Sequence, residues 1–153
     1  MTALATEAGL AGLWFDAQAH HPGPLQAPVD PNHPHLRATQ RWLATYWAAP
    51  GGVVTAPVAP LALDLRGTAF QRAVWAALLN IPTGATSTYA VMAAAAGSPA
   101  AVRAAGAAIG RNPISLIVPC HRVLGSRGAL TGYAGGLERK RALLMHERSA
   151  GVE

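Results

Sequence analysis

Residues 87–110 read STYAVMAAAAGSPAAVRAAGAAIG, and the punctuation of this stretch decides the fold. The spacing predicts a helix from about Ser87 to Ala96, which Gly97 can end by taking the left-handed C-terminal position. Ser98 then reads as the cap of a second helix, with Pro99 at its first position and Gly110 at its end. Two helices joined by a Gly-Ser turn form a helix-turn-helix. The second helix presents Ala101, Val102, Ala104, Ala105, Gly106, Ala107 and Ala108. These offer few groups that hydrogen-bond base edges in a major groove, but they allow close approach of another surface. Arg103 interrupts the alanines, and on the sequence alone it is either a solvated helix residue or a contact to nucleic acid.

Upstream, Thr68 followed by Gln71 matches a capping box, after which Phe70, Val74, Trp75, Leu78 and Leu79 fall on one helical face. Pro82-Thr83-Gly84 makes the turn out of that helix. Residues 1 to about 47 read as a small separate α/β unit, with a strand-like opening, a turn-rich middle and a helix around Leu36 to Trp47. Met1 falls where an opening strand is expected to be already under way, so the sheet of this unit is expected to be weakened. Ala49-Pro50-Gly51-Gly52 and Pro57 to Pro60 form a connector, because proline and glycine do not continue a helix. The division is therefore an N-terminal α/β domain with connector over 1–62 and a second domain over 63–153.

Downstream, Ile114-Ser115-Leu116-Ile117-Val118 reads as a short buried strand that stops at Pro119, which cannot donate to a ladder. The only cysteine follows, in Pro119-Cys120-His121-Arg122-Val123. A lone cysteine in an Ala-rich chain is either a small buried hydrophobe or, beside two residues that can be cationic, a thiol activated as a nucleophile. A glycine-rich loop leads from there to a last helix over about Leu137 to Glu147.

Composition sets bounds. The 153 residues suffice for one full domain or a small one beside a larger one, and 51% are hydrophobic. From Arg66 to Arg148 there are ten basic and two acidic residues, against two basic and four acidic in the first 65. The positive field thus belongs to the second domain, as nucleic-acid binding requires. One cysteine excludes an intramolecular disulfide and suits a reducing, cytoplasmic setting. The first fifteen residues lack the charged start of a signal peptide, and no apolar run approaches the roughly 18 residues that span a bilayer. His20, His21, His33 and His35 lie in proline-rich sequence without cysteine, which is a poor pattern for structural zinc, and no metal or cofactor is expected.

From Asp64 to Glu147 several motifs occur in one order: Gly67-Thr68-Ala69-Phe70-Gln71, Val74-Trp75, Thr88-Tyr89, Ala101-Val102-Arg103-Ala104, Gly110-Arg111-Asn112-Pro113, the cysteine pentapeptide, Thr131-Gly132-Tyr133 and Gly135-Gly136-Leu137. Together they resemble the methylated-DNA-protein-cysteine methyltransferases, which repair guanine alkylated at O6. The resemblance implies an α/β (α+β) fold: a small ribonuclease-H-like α/β domain, then a mostly helical domain with a winged-helix-like helix-turn-helix. It implies one irreversible transfer of the alkyl group from O6-alkylguanine, and less well from O4-alkylthymine, to Cys120. His121 would activate the thiol through a water, oriented by Glu147. Asn112 would bridge the helix-turn-helix to the cysteine turn, and Tyr89 would contact the target phosphate and guanine. Arg103 would enter the base stack as an arginine finger, with Ala101, Val102 and Gly106 against the minor groove. Val123, Tyr133 and Ala134 would line the pocket, and Ala134 stands where serine or glycine is common in the family. Lys140 matches a lysine near the site, although a solvated helix face explains it too. His146 reads as a surface residue. The implied partner is double-stranded DNA, bound by a monomer largely without regard to sequence, with cooperativity left open.

Three other readings compete. A non-catalytic lesion binder would lack the reactive cysteine. A sequence-specific helix-turn-helix regulator is poorly served by the Ala-rich helix. A Cys-His hydrolase needs a direct cysteine-histidine pair, which adjacent residues in regular structure do not form.

Overall fold

A computed structural model describes residues 1–49 and 61–148, so the connector expected at 49–60 lies almost wholly outside the described residues. The elements are β1 (Thr2–Ala5), β2 (Leu10–Trp14), α1 (Pro34–Ala48), α2 (Ala69–Leu78), β3 (Ser87–Thr88), α3 (Tyr89–Ala95), α4 (Val102–Gly110), β4 (Val123–Leu124) and α5 (Leu137–Arg148). Short 3-10 turns cover Cys120–Arg122 and Ser126–Gly128. The class is mixed α/β, with small sheets and helices carrying most of the core.

β1 and β2 pair antiparallel as a hairpin with an irregularity between Leu4 and Ala5. β2 reaches beyond that hairpin. Leu10 bridges in parallel to Leu63, and Leu13 to Ile114. Those bonds sew the N-terminal strands to the segment that leads into the cysteine turn: Leu13 N–H donates to Pro113 O at 2.8 Å, and Ser115 N–H to Leu13 O at 2.8 Å. Leu10 and Leu13 are buried with Val74, Trp75, Leu78, Ile114 and Val118 in one cluster. Each such side chain contributes about 1.5–3 kcal/mol of burial.

The expected capping box of α2 is present in both directions, with Gln71 N–H on the Thr68 hydroxyl and the Gln71 side chain back on Thr68 N–H. Val74, Trp75 and Leu78 are buried, whereas Leu79 is 45% exposed because it caps the helix rather than continuing its face. The Trp75 indole donates to Ala108 O at 2.8 Å and so pins α2 to α4.

The helix-turn-helix is formed, with different boundaries. Ser87 and Thr88 are strand, not helix, and pair in parallel with Val123 and Leu124; Thr88 caps α3 through its hydroxyl. Gly97 takes the left-handed conformation (φ 82°), as expected. Ser98, however, does not cap α4. Its N–H turns back to Ala93 O and that of Gly97 to Ala94 O, both at 3.0 Å, which is a Schellman closure of α3. A separate turn, Ala101 N–H to Ser98 O at 2.9 Å, must then be made before α4 starts at Val102. Pro99 therefore lies in the turn. Ala105 and Ala108 face the core, leaving Val102, Arg103, Ala104 and Ala107 exposed.

Residues 114–118, buried except for the half-buried Ile117, are not a strand. After the single bridge at Ile114, Leu116 takes positive φ (73°) and Val118 N–H closes on Ile114 O at 3.1 Å. The Asn112 amide donates to Ile114 O (3.2 Å) and Val118 O (2.8 Å), supplying partners that a neighbouring strand would otherwise give. An apolar run buried on all sides carries no periodicity to separate strand from turn.

Candidate active site

Cys120 opens the 3-10 turn that follows Pro119 and is 5% exposed. Burial pushes its thiol up, while the Asn112 side chain, the Lys140 charge and the N–H groups of Cys120 and His121 pull in the opposite direction. The resting group is therefore a thiol that must hand a proton to a base before it reacts.

His121 is completely buried, with Nε2 2.7 Å from Glu147 Oε1. Burial works to raise the Glu147 pKa, but hydrogen bonds from His121 and Arg122, with their charges, hold it at about 2. An ionised carboxylate only accepts, so Nε2 carries the imidazole proton and Nδ1 keeps its lone pair. That Nδ1 is buried with no hydrogen-bond partner among the described residues. Burial keeps the imidazole below its ordinary pKa despite Glu147. The turn thus holds a neutral histidine with a free basic nitrogen next in sequence to a protonated thiol.

Arg122 completes the group. Its Nε donates to Glu147 Oε2 and its Nη2 to Oε1, both at 2.9 Å, while Nη1 reaches Ile81 O at 2.7 Å and Nη2 also reaches Thr83 Oγ1 at 3.1 Å. A two-pronged guanidinium is the geometry that holds a buried carboxylate firmly. Tyr46, from α1, donates to Glu147 Oε1 at 2.9 Å. Sequence reasoning missed both partners: Arg122 stood in the pentapeptide only as a cation near the thiol, and nothing local joins Tyr46 to Glu147.

Cys120 lines a cavity of about 210 Å³ together with Tyr89, Gly106, Tyr133 and Ala134. Ala19 and His20 of the N-terminal unit also reach it, without any signal in the sequence. Ala19 N–H donates to Ala134 O at 2.8 Å. Tyr89 starts α3, and its hydroxyl donates to Thr131 O at 3.1 Å. Gly106 is half-buried on the cavity wall rather than on an outer face of α4. The Tyr133 ring is packed so closely beneath Gly135 that a Cβ there would lie 2.7 Å from it, and its hydroxyl is buried and has no partner among the described residues. A larger cleft of about 550 Å³ runs along β1, but only Asp30 and His33 among its lining residues titrate.

Val123, expected on the wall, and Lys140, expected near the site or on a solvated face, both sit behind the wall. Val123 is buried and not on the cavity; its carbonyl accepts from Lys140 Nζ at 2.6 Å. Lys140 is not on a solvated face: it is buried, and Nζ also donates to Thr131 O (2.9 Å) and Gly132 O (3.2 Å), using all three ammonium donors to tie the 131–132 loop to the cysteine turn. His146 is half-buried, with Nε2 2.9 Å from Tyr46 O. Arg103 is exposed at the start of α4, without a hydrogen bond or ion pair among the described residues; Ala101, half-buried, and Val102, exposed, precede it. Among the described residues no group of three or more His, Cys, Asp or Glu is placed to hold a metal, and no helix is long and apolar enough to cross a membrane.

Fold and site define a helix-turn-helix protein built around a buried cysteine centre. Residues 69–149 match the family model described as 6-O-methylguanine DNA methyltransferase, DNA binding domain, and the chain belongs to the methylated-DNA-protein-cysteine methyltransferase family. The curated methyltransferase of Mycobacterium tuberculosis is 61% identical over 87 residues, covering 57% of this chain and 53% of that protein. That of Salmonella typhimurium is 60% identical over 81 residues, covering 53% and 47%. The chain thus spans about half the length of the curated relatives it matches. Across solved structures the likeness extends further. Mycobacterium tuberculosis OGT in complex with DNA superposes with TM-score 0.78 at 39% identity, over 96% of this chain and 85% of that one. An O6-methylguanine DNA methyltransferase from Methanococcus jannaschii superposes with TM-score 0.60 at 25% identity, over 99% and 96%.

Proposed function

We propose that the protein repairs DNA by direct reversal, moving the alkyl group of O6-alkylguanine onto Cys120 once per molecule, with O4-alkylthymine a poorer substrate. The observation that carries this reading is Cys120 on a base-sized cavity backed by the His121–Glu147–Arg122 group. In the step, Cys120 gives its proton through one water to His121 Nδ1. Its sulfur bonds the alkyl carbon as the carbon–O6 bond breaks; the electron pair of that bond goes to guanine, which takes one proton from water while His121 returns to water the proton it took from the thiol. Tyr89 is a hydroxyl donor on that cavity wall. Proton transfer adds no net charge to the buried centre: Glu147 pairs with Arg122 throughout, and the thiolate and imidazolium form as a pair, with the Lys140 ammonium favouring the thiolate. Asn112 and Lys140 hold the turn and loop that frame the cavity. Among the described residues lining the cavity none is a nucleophile placed to cleave a thioether, which supports a reaction that stops there.

Docking follows the family pattern: a monomer on the minor groove of double-stranded DNA, with α4 against the groove and little regard for sequence. The division is 1–62, a small ribonuclease-H-like α/β unit with connector, and 63–153, a winged-helix-like domain with the cysteine. A DNA substrate and a free thiol support a cytoplasmic setting for its work. Incubated with duplex DNA holding O6-methylguanine, the protein is expected to restore guanine up to one equivalent and then stop. Sustained turnover on esters or amides would instead indicate a hydrolase.

Arg103 supplies a separate test. Exposed at the first turn of α4, it would fill the space left by an extruded base, and extrusion costs a few kcal/mol only in a duplex. Arg103→Ala should therefore slow repair of duplex DNA far more than reaction with free O6-benzylguanine. Equal loss on both substrates would remove the finger role.

A further inference from the structure

We propose that Tyr46 is a positioning residue for the cysteine centre: its hydroxyl fixes one oxygen of Glu147 and so sets how strongly that carboxylate draws on His121. This rests on the reading of Cys120 and His121 given above. Tyr46 is fully buried, and its hydroxyl meets Glu147 Oε1 across 101 residues of sequence. Its ring is clamped by Trp42 (centroids 5.3 Å apart, planes 9° apart), by the edge of Trp47 (5.0 Å) and by His146 (5.1 Å). Its backbone carbonyl faces His146 Nε2 at 2.9 Å. Side chain and main chain of Tyr46 therefore grip the same turn of α5, at residues 146 and 147.

The effect on chemistry follows from the count at one oxygen. Oε1 faces three groups, His121 Nε2 at 2.7 Å, Tyr46 at 2.9 Å and Arg122 Nη2 at 2.9 Å. A carboxylate oxygen has about two lone-pair sites, so these donors compete. Burial, and then the Glu147 charge and hydrogen bond, push the Tyr46 phenol well above its ordinary pKa, so it remains a donor at every working pH. While it donates, Glu147 has less basicity to offer His121. The other charged and titratable groups facing this cluster are Arg122 on both oxygens, Lys140 acting on His121 and Cys120, Cys120 and Tyr133 at the cavity, and His146 against the Tyr46 ring. Among the described residues none of the neutral ones donates to Glu147 in place of the phenol.

The test is the single-turnover rate with O6-benzylguanine as a function of pH, in wild type and Tyr46→Phe. Phenylalanine keeps the aromatic clamp and removes the donor. Glu147 then holds the protonated imidazole more strongly, His121 becomes charged at higher pH, and the acid limb of the profile should move up by about half a unit or more. Replacing Tyr46 by 2,3-difluorotyrosine, a stronger donor of nearly the same shape, should move the limb down, and this variant decides the matter if Tyr46→Phe does not fold. Both shifts should persist in a His146→Gln background. A limb that stays in place in these variants, with or without a uniform loss of rate, would reduce Tyr46 to packing, as would shifts that vanish with His146. Wild-type transfer to Cys120 is measured in the same assay: its absence would refute the reading of the centre, whereas an unmoved limb beside intact transfer refutes the role of Tyr46 alone.

Discussion

His121→Ala should slow alkyl transfer by roughly 10²-fold or more while duplex affinity stays close to wild type. The size is the usual one for losing a positioned general base. The reason is specific to this site: burial keeps Cys120 protonated, and His121 Nδ1 is a buried basic atom without a partner among the described residues. The helix-turn-helix that would carry DNA binding lies on other elements, with Arg103 exposed on α4. Rates and binding are measured separately, by single-turnover transfer and by titration of a duplex with the variant. A normal rate at neutral pH would show that the thiolate forms without the histidine. A parallel loss of binding would show that the residue supports the fold and not the proton transfer.

Glu147→Ala should be the most damaging single change to stability, at about 3–5 kcal/mol, because it leaves a buried guanidinium without its counter-charge. In a chain of this size that corresponds to a fall in Tm of roughly 10 °C or more. Arg122 would lose both of its hydrogen bonds to the carboxylate, keeping Ile81 O and Thr83 Oγ1, and Tyr46 would lose its acceptor. The pH dependence has a defined sign. The folded pKa of Glu147, about 2, lies below its ordinary 4.5, so its contribution is fully present above about pH 4.5 and is lost as pH falls toward 2. The gap in stability between wild type and Glu147→Gln should narrow across that window. Thermal unfolding followed at several pH values measures it, and a gap independent of pH would show that the carboxylate charge is not what the group stabilises.

The parts of the fold that were legible in the sequence are those fixed within a few residues. The Thr68–Gln71 box, the left-handed Gly97, the turn at Gly84 and the last helix depend on local hydrogen bonds or on backbone freedom, and each carries its own signal. Ser98 misled because serine serves equally as an N-cap and as the last residue of a Schellman closure; only the direction of its N–H separates the two. Residues 114–118 misled because Asn112 satisfies their carbonyls from outside the run.

The site divides in the same way. Cys120, His121, Asn112 and Glu147 were named through family motifs, and the structure gathers them around one turn. Arg122 and Lys140 were visible as charges, but that both are buried, one on Glu147 and the other on three loop carbonyls, depends on how α5 packs against the cysteine turn. Tyr46 and His20 come from residues far upstream. No local pattern encodes their approach; it follows from β2 being bonded to residues 62–64 on one side and 113–115 on the other.

The central claim is that Cys120 takes the alkyl group and keeps it. The most direct measurement is the mass of the intact protein after incubation with duplex DNA carrying O6-methylguanine, followed by mapping of the modified peptide. The expected result is one added methyl, on the peptide that contains Cys120, with guanine restored in equal amount; Cys120→Ser should still bind the alkylated duplex and gain nothing, since a serine hydroxyl is a far weaker nucleophile. An unmodified protein beside repaired DNA, a methyl on another residue, or many guanines restored per chain would contradict it.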